Sequence, residues 1–222
     1  MNPRLFRLPQ RWMSWAVALI ALTLALGFSS KSVAFLRAEE LDGVVNRMHS
    51  PLLDEVALVL DYLDRPIVVV CILLVLFAIS FYWLRWNAIG VAVVPGLGWL
   101  TAVIIKSTVG ETRPMMTHLE HQLPVAPMTS GFPSGHVVFA AAVVTVLVMV
   151  TPRRIVAATL LIGVAIVFVV AWSRMYLGLH FVSDVIGGIL NGVAGALLFA
   201  GIWDWRIMRK VAANPRHQIE QP

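Results

Sequence analysis

Six apolar stretches separated by polar connections divide the chain: Met13–Phe28, Pro66–Trp83, Ala88–Ile105, Gly135–Val150, Ile155–Trp172 and Asp184–Trp205. A helix crossing a hydrocarbon layer of about 30 Å needs about 20 apolar residues. Only structures that satisfy their own backbone hydrogen bonds survive there. The pattern therefore predicts an all-α, polytopic membrane protein: a six-transmembrane-helix bundle. Pro66 suits a first helical turn. Pro95, Gly96 and Gly98 inside the third run are tolerable as a kink packed against neighbours. From Leu52 to Leu63 the apolar positions recur at helical spacing, with Asp54, Glu55, Asp61 and Asp64 between them. That predicts an amphipathic helix at the interface.

Composition agrees with the pattern. The 222 residues are 59% hydrophobic and 13% charged, with mean hydropathy +0.83, against about 25% charged for soluble domains. A single membrane domain over residues 1–222 follows, with a core of about 60–205 and tails at 1–12 and 206–222. The net charge of +5 is dispersed along the loops, without a basic run; it does not argue for nucleic acid, and no nucleic-acid partner is expected. Cys71, the one cysteine, allows no intrachain disulfide and is expected to be a buried thiol. Arg4, Arg7 and Arg11 precede the first run, and no small-residue cleavage site follows. The run reads as a retained signal-anchor helix. With the N-terminus inside, the inner segments collect Arg85, Arg153, Arg154, Arg206, Arg209 and Lys210 as well as the N-terminal arginines. The positive-inside bias then puts both termini in the cytoplasm. It also puts connections 107–132 and 174–183 together on the outer side of a plasma (inner) membrane.

Three clusters meet on that side. In the first, Lys106 and Arg113 are seven apart, two helical turns, and Pro114 marks a helix end. In the second, Ser134, Gly135 and His136 open the fourth span, where free N–H groups attract anions and glycine permits close approach. In the third, Arg174 precedes His180 and Asp184, which sit at i and i+4 if a helix starts there. A carboxylate beside an imidazole fixes its tautomer, which makes His180 a base or nucleophile and Arg174 an anion clamp. Together these residues are what phosphoryl transfer needs: cations and N–H donors on the oxygens, and two histidines to attack or to move protons. The three cations neutralise charge without a metal, and no cofactor is called for.

Lys106-x6-Arg113-Pro114, Pro133-Ser134-Gly135-His136 and Ser173-Arg174-x5-His180-x3-Asp184 resemble the three-part signature of the type 2 phosphatidic acid phosphatase superfamily, with every signature position filled. The resemblance covers roughly residues 60–205 and extends to the six-span layout of bacterial members. It implies that His180 is the nucleophile, that Asp184 orients it and that His136 protonates the leaving oxygen. It also implies that Lys106, Arg113, Ser134, Gly135 and Arg174 hold the phosphate. The expected activity is removal of a terminal phosphate from a lipid at the outer leaflet through a phosphohistidine. A polyprenyl diphosphate is the first candidate substrate. Phosphatidylglycerophosphate, phosphatidate and lipid A are alternatives, as is phosphate transfer to another lipid. The protein would act as a monomer or homodimer.

Other features receive plainer readings. A lipid transporter, the alternative of another class, would carry midplane charges or repeated halves; spans four to six lack such charges and no repeat is found. His118, Glu120 and His121 lack a further ligand cluster and read as a solvated or substrate-touching loop rather than a metal site. Met115, Met116, Leu119, Leu123, Val125 and Met128 make that loop apolar enough to dip toward the bilayer or to pack. Gly187, Gly188, Gly192 and Gly195 predict close helix packing, and Asn191 an interhelical hydrogen bond.

Overall fold

The structure is a computed structural model that describes residues 5–30, 39–62, 65–84, 88–111, 119–125 and 130–212. It is all-helical among those residues: α1 (Trp12–Ser30), α2 (Glu39–Asn46), α3 (Pro51–Leu60), α4 (Pro66–Leu84), α5 (Ala88–Val109), α6 (Gly135–Val150), α7 (Val156–Tyr176) and α8 (Val182–Ala212). Five are long and apolar enough to cross a membrane: α1, α4, α5, α7 and the Val182–Arg206 part of α8. The remaining apolar helix, α6, has 16 residues, about 24 Å of rise. Buried Phe132 and Ser134 carry the chain on beyond its start.

Helix α8 is the axis of the bundle, with α1, α5 and α6 packed along it. The glycines predicted to permit close packing do so. A Cβ on Gly195 would lie 2.8 Å from the Gly98 Cα of α5, and one on Gly192 would lie 2.5 Å from the Val138 carbonyl oxygen of α6. Thr101 Oγ1 donates to Asn191 Oδ1 at 3.1 Å, the interhelical bond expected of Asn191. Because a backbone oxygen cannot step aside as a side chain can, Gly192→Ala is expected to destabilise the bundle by about 1–3 kcal/mol. An unchanged unfolding midpoint in detergent would contradict that packing.

Helix α1 is built into the bundle. Trp12 packs on Gly201, and the backbone N–H groups of Leu5 and Phe6 donate to the Asp204 carboxylate at 3.1 and 3.2 Å. Arg7 donates to the carbonyls of Met149 and Val148 at 3.2 and 3.0 Å, where a cation suits the C-terminal end of α6. Residues 5–7 and the end of α8 thus share one end of the bundle.

Helix α4 packs mainly on α5, and Val69 is its one buried residue. Cys71 on it is exposed, which corrects the expectation of a buried thiol. The burial habit of cysteine was learned from water-soluble cores, whereas an apolar helix face here can remain against lipid.

Candidate active site

The opposite end of the bundle gathers the end of α5, the start of α6, the end of α7 and the start of α8. The link from α7 to α8 is tight. Leu177 ends α7, Gly178 takes φ +65°, and Gly178 N and Leu179 N donate back to Met175 O and Arg174 O at 2.9 and 3.0 Å. A side chain on Gly178 would be strained at that φ and would overlap Leu119. His180 follows at once, and Asp184 sits in the first turn of α8. Asp184 Oδ2 accepts from the Phe181 N–H at 3.0 Å and lies 3.1 Å from His180 Nδ1. A carboxylate only accepts, so the proton sits on Nδ1 and the lone pair on Nε2. Both side chains are buried.

Ser134 caps α6 in extended geometry without a side-chain capping bond. Its N–H donates to the Asp184 carbonyl at 3.0 Å. Its hydroxyl is buried with no partner among the described residues, which leaves it for a ligand. Gly135 and His136 then supply first-turn N–H groups, which have no carbonyl partner within their own helix. His136 Nε2 lies 3.0 Å from the Asp61 carbonyl oxygen and 3.2 Å from Arg174 Nη1. The carbonyl requires a donor and the guanidinium an acceptor, so one tautomer satisfies one contact. Arg174 is fully buried. Its Nη1 donates to Asp61 Oδ1 at 2.7 Å, Nη2 to Ala57 O at 3.3 Å and Nε to Ser173 Oγ at 3.2 Å.

Lys106 lies in the last turn of α5, with Nζ donating to Ser130 O at 3.1 Å and reaching Gly131 O at 3.5 Å. It is thereby tied to the strand of chain that leads into Ser134. Arg113 lies outside the described residues. The helical spacing read from Lys106 to Arg113 does not hold, however. Helix α5 stops at Val109, because Gly110 turns with φ +60° and donates to Lys106 O at 2.9 Å, ahead of the helix end inferred from Pro114. Of the eight residues singled out in the sequence, seven are described, and all seven belong to this end.

Several residues here escaped the sequence reading. Asp54 and Asp61, expected on an amphipathic helix at the interface, gain partners on α7, because α3 packs on it. Asp61 meets Arg174, and Asp54 accepts from the Tyr176 hydroxyl. The signal was available: the two acids are seven residues apart, on one face. His121 Nε2 lies 2.9 Å from Asp54 Oδ2. The Tyr176 hydroxyl, with the His121 ring next, holds the Asp54 carboxyl below its ordinary range. Asn46, also buried, donates to the carbonyls of His121 and Tyr176 at 2.8 and 3.0 Å and accepts from His121 N at 3.0 Å. Buried Glu111 accepts from Ser30 Oγ at 2.7 Å and joins the end of α1 to the end of α5.

Residues 87–208, just over half the chain, match the model of the PAP2 superfamily. The chain belongs to the PAP2 superfamily. All three site clusters fall inside that match. Among relatives of this PAP2 protein is the "Putative undecaprenyl-diphosphatase YbjG" of Escherichia coli, 34% identical over 93 residues, 41% of this chain and 44% of that one. The chain thus spans less than half the length of that relative. "Phosphatidylglycerophosphatase B" of Bacillus subtilis is 27% identical over 169 residues, 73% of this chain and 80% of that one. In structure, the PAP2-type phosphatidylglycerolphosphate phosphatase of Bacillus subtilis superposes with a TM-score of 0.71 at 26% identity, covering 86% of this chain and 96% of the other. LpxE of Aquifex aeolicus gives 0.57 at 26% identity, covering 73% and 93%. The all-helical bundle and the apolar spans make this PAP2 protein an integral membrane protein.

Proposed function

We propose that this PAP2 protein hydrolyses the terminal phosphate of a polyprenyl diphosphate, releasing the monophosphate and inorganic phosphate at the outer leaflet of the plasma membrane, with both termini cytoplasmic. The observation that carries the reading is the buried group formed by His180 with Asp184 and by His136 with Arg174, stitched together by the Ser134–Asp184 backbone bond. In this reading His180 Nε2 attacks phosphorus while the bond to the leaving oxygen breaks, and His136 gives that oxygen its proton. Water then attacks the phosphohistidine and loses its proton to His136, and phosphate leaves with His180 restored. Lys106, Arg113, Arg174, the Ser134 hydroxyl and the Gly135 N–H group hold the phosphate oxygens.

One feature favours a single-chain lipid. An apolar cavity of about 680 Å³ lies between α6, α7 and α8, lined from Met175 and Val185, the chain neighbours of Arg174 and Asp184, to Val148, Leu160 and Val193. Fifteen residues of α7 separate Leu160 from Met175, about 22 Å of helix. Steady-state phosphate release in detergent with excess chelator tests the proposal, using polyprenyl diphosphate, phosphatidylglycerophosphate and phosphatidate as substrates. The polyprenyl substrate is expected to give the highest kcat/KM, and a tenfold preference for a glycerolipid would overturn the choice. Val164, exposed in the cavity wall, supplies a second check. Val164→Trp is expected to lower kcat/KM about tenfold for long-chain substrate, the equivalent of about two buried methylenes, and to leave short-chain prenyl diphosphates unaffected.

A phosphate held by Arg174 competes with the Asp61 carboxylate already there. Asp61→Asn keeps the shape but removes the charge that faces the buried Arg174 guanidinium. The variant is expected to unfold at lower temperature than wild type in phosphate-free buffer. It is also expected to bind inorganic phosphate about tenfold more tightly, a difference of about 1.4 kcal/mol. An unaltered phosphate affinity would separate Arg174 from the phosphate seat.

A further inference from the structure

Beyond the reaction centre, a second cluster is built between α2, α3 and the segment 119–125. Asp54 lies in the first turn of α3, His49 two residues ahead of that helix, and His121 in the connection beyond α5. One ligand-type atom from each lies within 4.8 Å of the other two. His121 Nε2 and Asp54 Oδ2 are 2.9 Å apart, with side chains 32% and 18% exposed. The His49 ring stacks on His121 at 4.2 Å between centroids and 14° between planes.

The surroundings hold these groups in place. The Tyr176 hydroxyl occupies Asp54 Oδ1, as an orienting partner outside the coordination sphere does, so Oδ2, which pairs with His121 Nε2, is the oxygen that would face a cation. Asn46 pins the His121 backbone through both its N–H and its carbonyl. The neighbouring Arg47 is balanced by Glu120 at 3.6 Å.

We propose that His49, Asp54 and His121 form a binding site for one divalent transition-metal cation of the zinc class. Two imidazoles and one carboxylate suit such a cation better than magnesium or calcium. Three protein ligands leave a fourth tetrahedral position to water. Ligand atoms around tetrahedral zinc stand about 3.3 Å apart for bonds of about 2.0–2.1 Å. The His121–Asp54 pair is already near that spacing, and a rotation of the exposed His49 ring from stacked to edge-on brings the third atom in. Asp61, which holds Arg174, lies on the same face two turns beyond Asp54. A cation here fastens α3 to the segment 119–125, which Asn46 ties to the end of α7 that carries Arg174.

Calorimetric titration of Zn²⁺, and the visible absorption of Co²⁺, test the site in chelator-treated full-length protein without a histidine tag. Wild type is expected to bind one ion per chain, with a tetrahedral-type Co²⁺ band and a rise in unfolding temperature. His49→Ala and His121→Ala are expected to weaken binding at least about tenfold, and Tyr176→Phe to weaken it as well. If His121→Ala does not fold, His49→Ala carries the test, because the exposed His49 ring contributes stacking alone to the described contacts of the cluster. Absence of saturable binding up to about 1 mM, or equal affinity in wild type and His49→Ala, overturns the site and leaves His121–Asp54 as an ion pair. Binding is read without turnover, so its failure is separate from any failure of the proposed phosphatase activity.

Discussion

His180→Gln is expected to lower kcat on the order of 10⁴-fold or more while leaving the unfolding temperature close to wild type. Covalent catalysis ends without its nucleophile, and the remaining donors can only bind the phosphate. Glutamine keeps an amide N–H for Asp184, so the buried carboxylate is not stranded and the loss cannot be assigned to unfolding. Rapid quench of wild type with radiolabelled substrate should trap an acid-labile, base-stable phosphoryl group on the protein, and the variant should show none. Asp184→Asn is the companion test, because an amide in that position permits the wrong imidazole tautomer. A labelled His180→Gln enzyme, or one that turns over at the wild-type rate, would remove His180 as nucleophile.

His136→Gln should cost about 10²–10⁴-fold, the usual contribution of a positioned general acid, and the size of the loss should depend on the leaving group. A phosphate monoester such as phosphatidate expels an alkoxide, which needs a proton as the bond breaks. A prenyl diphosphate expels a phosphate monoester, already a stable anion. The penalty should therefore be at least about tenfold greater for the monoester, equal to a difference of about 1.4 kcal/mol in the barrier. Measuring kcat for both substrates in both enzymes decides the matter. Equal losses would deny His136 the role of proton donor to the leaving oxygen.

The boundaries of the apolar runs were legible because hydrocarbon tolerates few alternatives. The Gly135–Val150 run is α6 residue for residue, and the Pro66 run differs from α4 by one position at its end. Helix ends that depend on polar chemistry were harder to read. Helix α5 runs past Ile105 to Val109 because Lys106, Ser107 and Thr108 continue it: the two hydroxyls bond back to Ile104 O at 2.8 Å, and Gly110 supplies the stop. Helix α7 runs on to Tyr176, past the point where hydropathy falls, because its polar last turn is buried against α2 and α3. Cys71 is exposed against the expectation from its apolar run because a helix in this bundle can be apolar and still exposed.

What the sequence determined by itself was the class of fold and the identity of the residues that meet at one end. Span length, the positions of Gly and Pro, and short polar motifs are all local, and local pattern is what a single chain displays. What only the tertiary structure decided was the company those residues keep. Asp61 lies 113 positions from Arg174, and Asp54 lies 67 from His121. No periodicity relates them. The contacts exist because α3 packs on α7, and burial then requires each charge to find a counter-charge from whichever segment the packing brings near.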